Sequence, residues 1–284
     1  MTRVVTGEPP FAGRVGALAT RHGKQTEIGP SLAPTGLQVV VAPVDTDSFG
    51  TFTGEVPRPG APRHVVERKA RAAAAASGLA IGLASEGSFG PHPAFPFVTA
   101  DVELVAFVDV AADLVVVEQA VSIDTVAASQ AFAPAEDPTD FCARVGFPEQ
   151  ALIVRPADGS PVRICKGITD MAQLADAVVG AAAASSDGRA LVETDLRAHC
   201  CPSRRPVIRA AAERLAARLV RCCPACDRPG FGAMRHEPGR RCAHCGLPTE
   251  EPAVRIERCE CCGYELRTAV DGFVDPARCG RCNP

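Results

Sequence analysis

The sequence has few aromatic and few lysine side chains. It contains no tryptophan, one tyrosine (Tyr264) and only three lysines among its thirty basic residues, and its formal net charge at pH 7 is −3. Proteins that cover nucleic acid need a basic face for phosphate contacts and aromatic rings for base stacking. The composition therefore disfavours a nucleic-acid-binding protein.

Long apolar stretches are also missing. No run of eighteen apolar residues occurs, and residues 1–10 lack the apolar core of a signal peptide. We therefore expect no membrane contact and a cytoplasmic location. With 46% hydrophobic and 22% charged residues, the 284-residue chain has the composition of an ordinary globular protein. It is long enough for one sizeable domain and a small appendage.

Cysteine, in contrast, is concentrated at the C-terminus, where ten of the fourteen cysteines lie in residues 222–284. Eight of them form four C-x-x-C pairs: Cys223/Cys226, Cys242/Cys245, Cys259/Cys262 and Cys279/Cys282. This spacing lets two thiolates bind one tetrahedral ion, and in a cytoplasmic protein it indicates metal rather than disulfides. We predict two structural zinc ions. Gaps of fifteen and sixteen residues favour sequential pairing of neighbouring couples. Cys222 and Cys261, each beside a predicted ligand, are alternative ligands.

The charge of this tail indicates its partner class. Residues 222–284 hold nine arginines and nine acidic residues, which cancel, and two four-thiolate zinc sites would leave about four negative charges. A nucleic-acid module needs a basic face. The tail is therefore expected to be structural or to dock a protein partner, in preference to nucleic acid.

The rest of the chain alternates apolar strand-like runs with helical patterns. Strands are predicted at 15–20, 37–42 and 79–84, and a helix over 62–77 begins at a proline and is followed by Gly78. The fold class is therefore α/β, with a mixed, mainly parallel sheet flanked by helices and a small C-terminal zinc-ribbon region. The predicted organisation is a flexible arm (1–13), an α/β domain (14–221) and a double four-cysteine tail (222–284).

Polar residues follow the predicted strand at 79–84. Two glycines and two prolines in residues 85–93 predict an irregular turn that displays Ser85, Glu86, Ser88 and His92. In open α/β sheets, ligands bind at the carboxyl ends of strands. The sequence therefore predicts a ligand site at this edge of the sheet.

Further polar residues follow other predicted strands and loops. The candidate catalytic residues are Glu86, Asp47, Glu55 and His92. The candidate substrate-binding residues are Lys24, His22, Arg58, Lys69, Ser85, Ser88, Lys166 and Arg197. Carboxylates of this kind hold Mg²⁺ or Mn²⁺, usually together with substrate phosphates. We expect Glu86, Lys24 and Asp47 to meet in one pocket. The alternative is that these residues only cap helices and stabilise turns.

Several of these motifs together carry a resemblance to a known family. They are Thr20 to Lys24, Asp45-Thr46-Asp47, Gly50 to Glu55, Ala84 to Pro93, Lys166 to Asp170, Glu193 to Ala198, and the cysteine tail ending in Cys282-Asn283-Pro284. From about Ala17 onward the chain resembles an uncharacterised bacterial family, domain of unknown function 6671. The resemblance implies the same fold and zinc tail, and it implies no activity.

A more distant similarity is to the inosine triphosphate pyrophosphatase type of fold. Thr20 with Lys24, Thr51-Phe52, Lys69-Ala70 and residues 85–88 match its motifs in order. The usual asparagine after the first strand is replaced here by His22 or Gly23, and residues 90–93 have no counterpart. Fold alone does not imply function.

The leading hypothesis is a metal-dependent phosphohydrolase acting on a phosphorylated small molecule or nucleotide. Glu55, Glu86 and Asp47 would position Mg²⁺, and Lys24, Lys69 and Arg197 would bind phosphate. The alternative is a non-catalytic protein that binds a small anionic ligand and docks a protein partner through its zinc ribbons.

Overall fold

The first sheet has five strands in the computed structural model, which describes residues 8–50, 57 and 59–284. The strands are β1 (Val15–Ala19), β2 (Gln38–Val41), β3 (Ile81–Pro91), β4 (Thr99–Asp109) and β5 (Leu114–Ser122). Their order is β2-β1-β3-β4-β5. Strand β1 runs parallel to β2 and β3, whereas β3, β4 and β5 form an antiparallel meander. Helices α1 (Gln25–Leu32) and α2 (Pro62–Ser77) connect the parallel strands.

A second sheet has four strands in the order β6-β9-β7-β8, and all its pairings are antiparallel. It comprises β6 (Ser129–Phe132), β7 (Leu152–Pro156), β8 (Cys165–Ile168) and β9 (Ala190–Thr194), with α3 (Thr139–Val145) and α4 (Met171–Ala183) between them. The predicted α/β class, with a mixed sheet flanked by helices, is confirmed. The prediction of a mainly parallel sheet is wrong, because the β3-β4-β5 meander and the whole second sheet are antiparallel.

The chain then returns to the first sheet through α5 (Arg204–Leu219). One face of this sheet packs against α1 and α5 through a core that includes Leu18, Ile28, Leu83, Phe107 and Leu215. The opposite face packs against α2 through small side chains, mainly alanines and valines. Successive residues of β3 therefore point alternately toward α1 with α5 and toward α2.

The close approach of α2 depends on one glycine. A Cβ atom built on Gly82 would lie 1.8 Å from the Ala70 carbonyl oxygen. No side chain fits at that distance, so glycine at this position lets α2 lie directly on β3. Helix α2 begins at Pro62 and is followed by Gly78 with φ of 65°, as predicted from the sequence.

The start of the described chain is tied to this core. Within the predicted flexible arm, Phe11 is only 2% exposed and its ring centroid lies 4.9 Å from that of Phe107. The domain boundaries drawn from the sequence stay predictions. Among the described residues, none of the helices combines the length and apolar character needed to cross a membrane.

The C-terminal tail is a three-stranded antiparallel meander. Its strands are β10 (Ala233–Pro238), β11 (Pro252–Arg258) and β12 (Glu265–Ala269), in the order β10-β11-β12. Each C-x-x-C pair lies in a turn at an end of these strands or in the segment that follows β12. The meander therefore decides which pairs can meet.

Candidate functional site

A cleft opens where β1 ends beside β3. The last residue of β1, Ala19, pairs with Ala84, and β3 continues for seven residues beyond that point. The prediction of an irregular turn at Ser85 is therefore wrong. Residues 85–91 stay extended because each pairs with a residue of β4. The site residues nevertheless lie at the end of a parallel strand, because the strand that ends there is β1.

Twelve described residues line this cleft, whose volume is about 50 Å³. They are Ala19, Thr20, Arg21, His22, Lys24, Thr46, Asp47, Gly50, Lys69, Ser85, Glu86 and Gly87. The lining thus includes the carboxylates of Asp47 and Glu86 together with the ammonium groups of Lys24 and Lys69. A cavity of this size accommodates one small polar or ionic group in place of one or two waters.

The α2 side of the cleft holds a buried ion pair. The Nζ atom of Lys69 donates a hydrogen bond to Oε2 of Glu86 at 2.6 Å, and both side chains are 8% exposed. Lys69 is on α2, and Glu86 points toward that helix from β3. A charge-assisted bond of this length fixes both groups at the wall of the cleft.

The α1 side holds a second buried lysine. Lys24 lies just before α1, and its Nζ donates to the Ser85 hydroxyl oxygen at 2.9 Å. Burial lowers the pKa of Lys24 to about 8, since the charged form loses its hydration, although the Glu103 carboxylate partly opposes this shift. Lys24 is therefore much easier to deprotonate than an ordinary lysine.

The rim of the cleft is more exposed and carries both positively and negatively charged side chains. Arg21 donates to Asp45 at 2.8 Å and to Asp47 at 3.1 Å. The His22 ring stacks on His199 with centroids 4.7 Å apart, and its Nε2 lies 3.7 Å from Asp47. Burial, followed by the positive charge of His199, lowers the pKa of His22 to about 4, so this imidazole is neutral at pH 7.

Beneath the cleft lies a fully buried ion pair. Arg204 at the start of α5 contacts Glu103 on β4, with Nη2 2.5 Å from Oε1, and both side chains are 0% exposed. Arg204 also donates to the Leu196 carbonyl oxygen. A Cβ atom at Gly87 would lie 2.1 Å from Nη2 of Arg204, so only glycine leaves room for the guanidinium.

Asp101 lies next to this pair. It is 1% exposed, and neither of its carboxylate oxygens has a hydrogen-bond partner in the structure. Burial, reinforced by the Glu103 charge, raises the pKa of Asp101 to about 7. The folded protein therefore keeps this carboxyl protonated at mildly acidic pH, where an unfolded chain would release the proton.

We expect Asp101→Asn to stabilise the protein at pH 8. Between pH 4 and pH 7 the folded state binds a proton that the unfolded state has lost, so this carboxyl lowers the unfolding free energy as pH rises. The gain from Asp101→Asn should be near zero at pH 4 and reach about 1–3 kcal/mol above pH 7. Urea denaturation of both proteins at several pH values measures it, and a pH-independent difference would contradict the assignment.

The structure brings together only part of the predicted site. Lys24, Lys69, Ser85, Glu86, Asp47 and His22 line the cleft. Arg197 lies nearby, but its Nη2 is 2.5 Å from the Asp195 carboxylate, and this hydrogen bond is the main cause of its raised pKa, with a smaller contribution from the Asp47 charge. Glu55 and Arg58 lie outside the described residues.

Three predicted residues lie elsewhere. His92 lies beyond the end of β3, roughly 20 Å from Glu86 along an extended chain, and its Nδ1 accepts from the backbone of Ala94 and Phe95. Ser88 pairs with Val102 within the sheet, and Lys166 is on β8 of the second sheet. None of the three is among the described residues that line the cleft.

Other residues of the site were not singled out from the sequence. His199 and the buried Arg204 come from the segment after β9, and neither has a distinctive local motif. Arg204 is followed by Arg205, whose side chain is 38% exposed, so composition cannot tell which one is buried. Gly87 was a sequence signal for the buried arginine, because a glycine within a strand often marks a place where another group lies close to the backbone.

The tail brings the eight predicted cysteines into two groups of four. One is Cys223, Cys226, Cys259 and Cys262, and the other is Cys242, Cys245, Cys279 and Cys282. Sulfur pairs within them are 3.7 or 3.8 Å apart. A tetrahedral ion with Zn–S bonds of about 2.3 Å places its sulfurs about 3.8 Å apart. Each tetrad could therefore hold one metal ion, and the spacing is compatible with zinc.

The pairing of the couples is interleaved, so the prediction of sequential pairing is wrong. Strand β10 separates the first couple from the second, and β11 separates the second from the third. Each antiparallel strand carries the chain roughly 20 Å to the opposite end of the meander. The first and third couples therefore meet at one end, and the second and fourth at the other.

The first tetrad is packed against the α/β part of the chain. Phe231, which is fully buried, packs with Cys223 and Cys259. The guanidinium of Arg218 on α5 donates to the Gly230 carbonyl oxygen, to Glu118 on β5 and to Glu260 between two cysteines of the tetrad. The second tetrad lies at the far end of the meander.

Comparison with known proteins gives one match. A family model described as "Domain of unknown function (DUF6671)" matches residues 69–284. The matched region begins at Lys69 and includes Ser85, Glu86, Arg204 and both tetrads. No curated protein matches the chain.

Proposed function

Since this chain belongs to the domain of unknown function 6671 family, whose description assigns no activity, we propose a function from the chemistry of the cleft. The protein is a hydrolase that cleaves a phosphate ester or anhydride of a small molecule or nucleotide with the help of Mg²⁺ or Mn²⁺. The observation that carries this proposal is the convergence of two buried lysines and the Glu86 carboxylate in one small cleft.

The charges of the cleft suit a phosphoryl group. Lys24 and Lys69 reach it from separate helical segments, and Arg21 is on its rim. A phosphoryl oxygen that replaces part of the Lys69–Glu86 contact would lie beside the Lys69 ammonium. Because this group is poorly hydrated, its electrostatic attraction for the phosphoryl oxygen is strong. The same convergence would also serve simple anion binding, which the activity test below separates from hydrolysis.

A divalent cation would bind to Asp47 and Glu86 together with the phosphates of the substrate. Among the described residues, the cysteine tetrads are the only groups of three or more side chains close enough to hold an ion. Asp47 and Glu86 therefore do not form a complete metal cage with a third described residue. Mg²⁺ usually binds through one or two carboxylates plus substrate phosphates. When bound, it would supply Lewis acidity at the phosphoryl oxygens.

Phosphate release from a panel of substrates tests this proposal. The panel should hold nucleoside mono-, di- and triphosphates, sugar phosphates and pyrophosphate, each with Mg²⁺ or Mn²⁺. We expect phosphate release from at least one class of substrate, and none when Mg²⁺ and Mn²⁺ are left out. Failure across the panel, combined with tight binding of pyrophosphate by calorimetry, would instead support the non-catalytic anion-binding protein.

For the tail, we propose two structural zinc ions. Metal analysis of the purified protein should find about two zinc ions per chain, one for each tetrad. The interleaved pairing makes a sharp prediction for double variants. Cys226→Ser with Cys259→Ser removes ligands from one site and should leave one zinc. Cys226→Ser with Cys245→Ser damages both sites and should leave none.

Sequential pairing of the couples would reverse these two outcomes. In that arrangement Cys226 and Cys245 would share a site, so their double variant would retain one zinc, and the other double variant would lose both. Both variants remove two cysteines, so each serves as the control for the other. The role of the tail in docking a protein partner remains a proposal, supported by its balanced charge.

A further inference from the structure

Ser85 and Lys24 form a hydroxyl–amine pair inside the cleft. The Lys24 Nζ atom lies 2.9 Å from the Ser85 Oγ atom, and both residues line the cavity. Their exposed fractions are 9% and 4%, so each has lost most of its water. This is the separation at which a base can remove a proton from a nucleophile.

We propose that Ser85 is a covalent nucleophile and that Lys24 is its general base. This inference rests on the proposed function, for which it identifies the attacking group as a side chain rather than water. Serine with a lysine base is a known variant of the serine–histidine arrangement. The assignment replaces the phosphate-binding role that the sequence predicted for Lys24, and it leaves Lys69 as the buried cation for the phosphoryl group.

The reaction balances in two steps. In the first, neutral Lys24 takes the Ser85 hydroxyl proton, the Oγ–P bond forms, and the bond from phosphorus to the leaving oxygen breaks. The leaving oxygen then takes the proton from Lys24. In the second step, water attacks phosphorus and gives a proton to Lys24, the Oγ–P bond breaks, and Ser85 recovers its proton. The net change is hydrolysis of one phosphoester or anhydride bond.

The surroundings of Lys24 raise the fraction of its side chain that is in the neutral amine form. Its backbone N–H lies 3.4 Å from the Thr20 hydroxyl, which helps to hold the residue in place. Burial lowers the pKa of Lys24 to about 8, so about a tenth of the amine is neutral at pH 7 and most of it at pH 9. The charged and titratable groups facing it are His22, Lys69, Glu86, Asp101, Glu103 and Arg204.

Covalent labelling by a fluorophosphonate ester tests the pair directly. In this reaction the Ser85 Oγ–P bond forms, the P–F bond breaks, fluoride leaves, and the hydroxyl proton goes to Lys24. We expect one adduct per chain by intact mass, mapped to Ser85, with a rate that rises about tenfold from pH 7 to pH 9. Ser85→Ala should show no adduct, and Ser31→Ala, which changes a serine of α1 outside the cleft, should react like the unchanged protein.

Two lysine variants separate the base from a merely structural role. Lys24→Arg keeps a cation that can donate to Ser85 but cannot accept a proton at these pH values, so labelling should slow at least hundredfold. Lys24→Met removes the base and the charge, and should show the same loss. Labelling of a folded Lys24→Arg protein at the unchanged rate would overturn the proposal. So would a folded unchanged protein that stays unlabelled up to pH 9, a result that needs no variant.

Labelling requires neither a divalent cation nor the natural substrate, so the two proposals fail separately. If Ser85 is labelled but no phosphate is released from the panel, the phosphohydrolase function is wrong and the nucleophile assignment stands. If phosphate is released while Ser85 resists labelling, water is the attacking group and the assignment of Ser85 is wrong.

Discussion

Replacing Arg204 with methionine is expected to lower the free energy of unfolding by about 3–5 kcal/mol, because it leaves the Glu103 carboxylate buried without its partner. Both side chains are fully buried, and Arg204 also donates to the Leu196 carbonyl oxygen. Glu103→Gln should cost less, since the amide still accepts a hydrogen bond. Urea denaturation at pH 7 measures both changes.

The double variant Arg204→Met with Glu103→Leu is the control. It removes both charges together, so it should recover more than half of the stability lost by Arg204→Met alone. Arg71→Ala, which breaks the partly exposed pair between Arg71 and Glu67 on α2, should change the unfolding free energy by less than about 0.5 kcal/mol. If Arg204→Met also changed the unfolding free energy by less than about 0.5 kcal/mol, the buried pair would contribute no more to stability than this partly exposed one.

Loss of the first metal site is expected to destabilise the α/β part of the chain, whereas loss of the second is not. Phe231 is buried against the first tetrad, and truncating such a side chain typically costs about 3–5 kcal/mol. For a domain of 150–250 residues this corresponds to a drop in melting temperature of roughly 10 °C. Cys226→Ser should lower the melting temperature of the α/β part by this amount, and Cys245→Ser should lower it by less than about 3 °C.

These two variants are matched, since each removes the second cysteine of a C-x-x-C pair and each is half-buried. Calorimetry of both proteins, with zinc content measured in parallel, gives the comparison. Equal effects of the two variants on the α/β transition would contradict the packing of the first tetrad against Arg218 and Phe231.

Local patterns predicted much of this structure. Helix α2 begins at a proline and ends before a glycine, as the sequence predicted. The eight cysteines of the tetrads were likewise identified from their spacing. In each case the physical cause lies within a few residues of chain, so the sequence displays it directly.

The features that the sequence did not predict depend on distant strands. Interleaved pairing of the tetrads follows from the direction of β10 and β11, which the C-x-x-C spacing does not encode. Residues 85–91 contain turn-forming glycine and proline, yet β4 pairs with every one of them and keeps them extended. Tertiary pairing here overrides local preference. Burial of Arg204 depends on Glu103, which lies 101 positions earlier in the chain.

The central claim is that the cleft between Lys24, Lys69 and Glu86 hydrolyses a phosphoryl bond. Divalent-cation-dependent phosphate release by Glu86→Gln, compared with the unchanged protein, tests it most directly. Glu67→Gln, the same change at a residue of α2 outside the cleft, is the control. We predict that Glu86→Gln keeps its fold and zinc content but loses at least 99% of the release, while Glu67→Gln retains full activity. Release by a folded Glu86→Gln protein at the unchanged rate would contradict the claim.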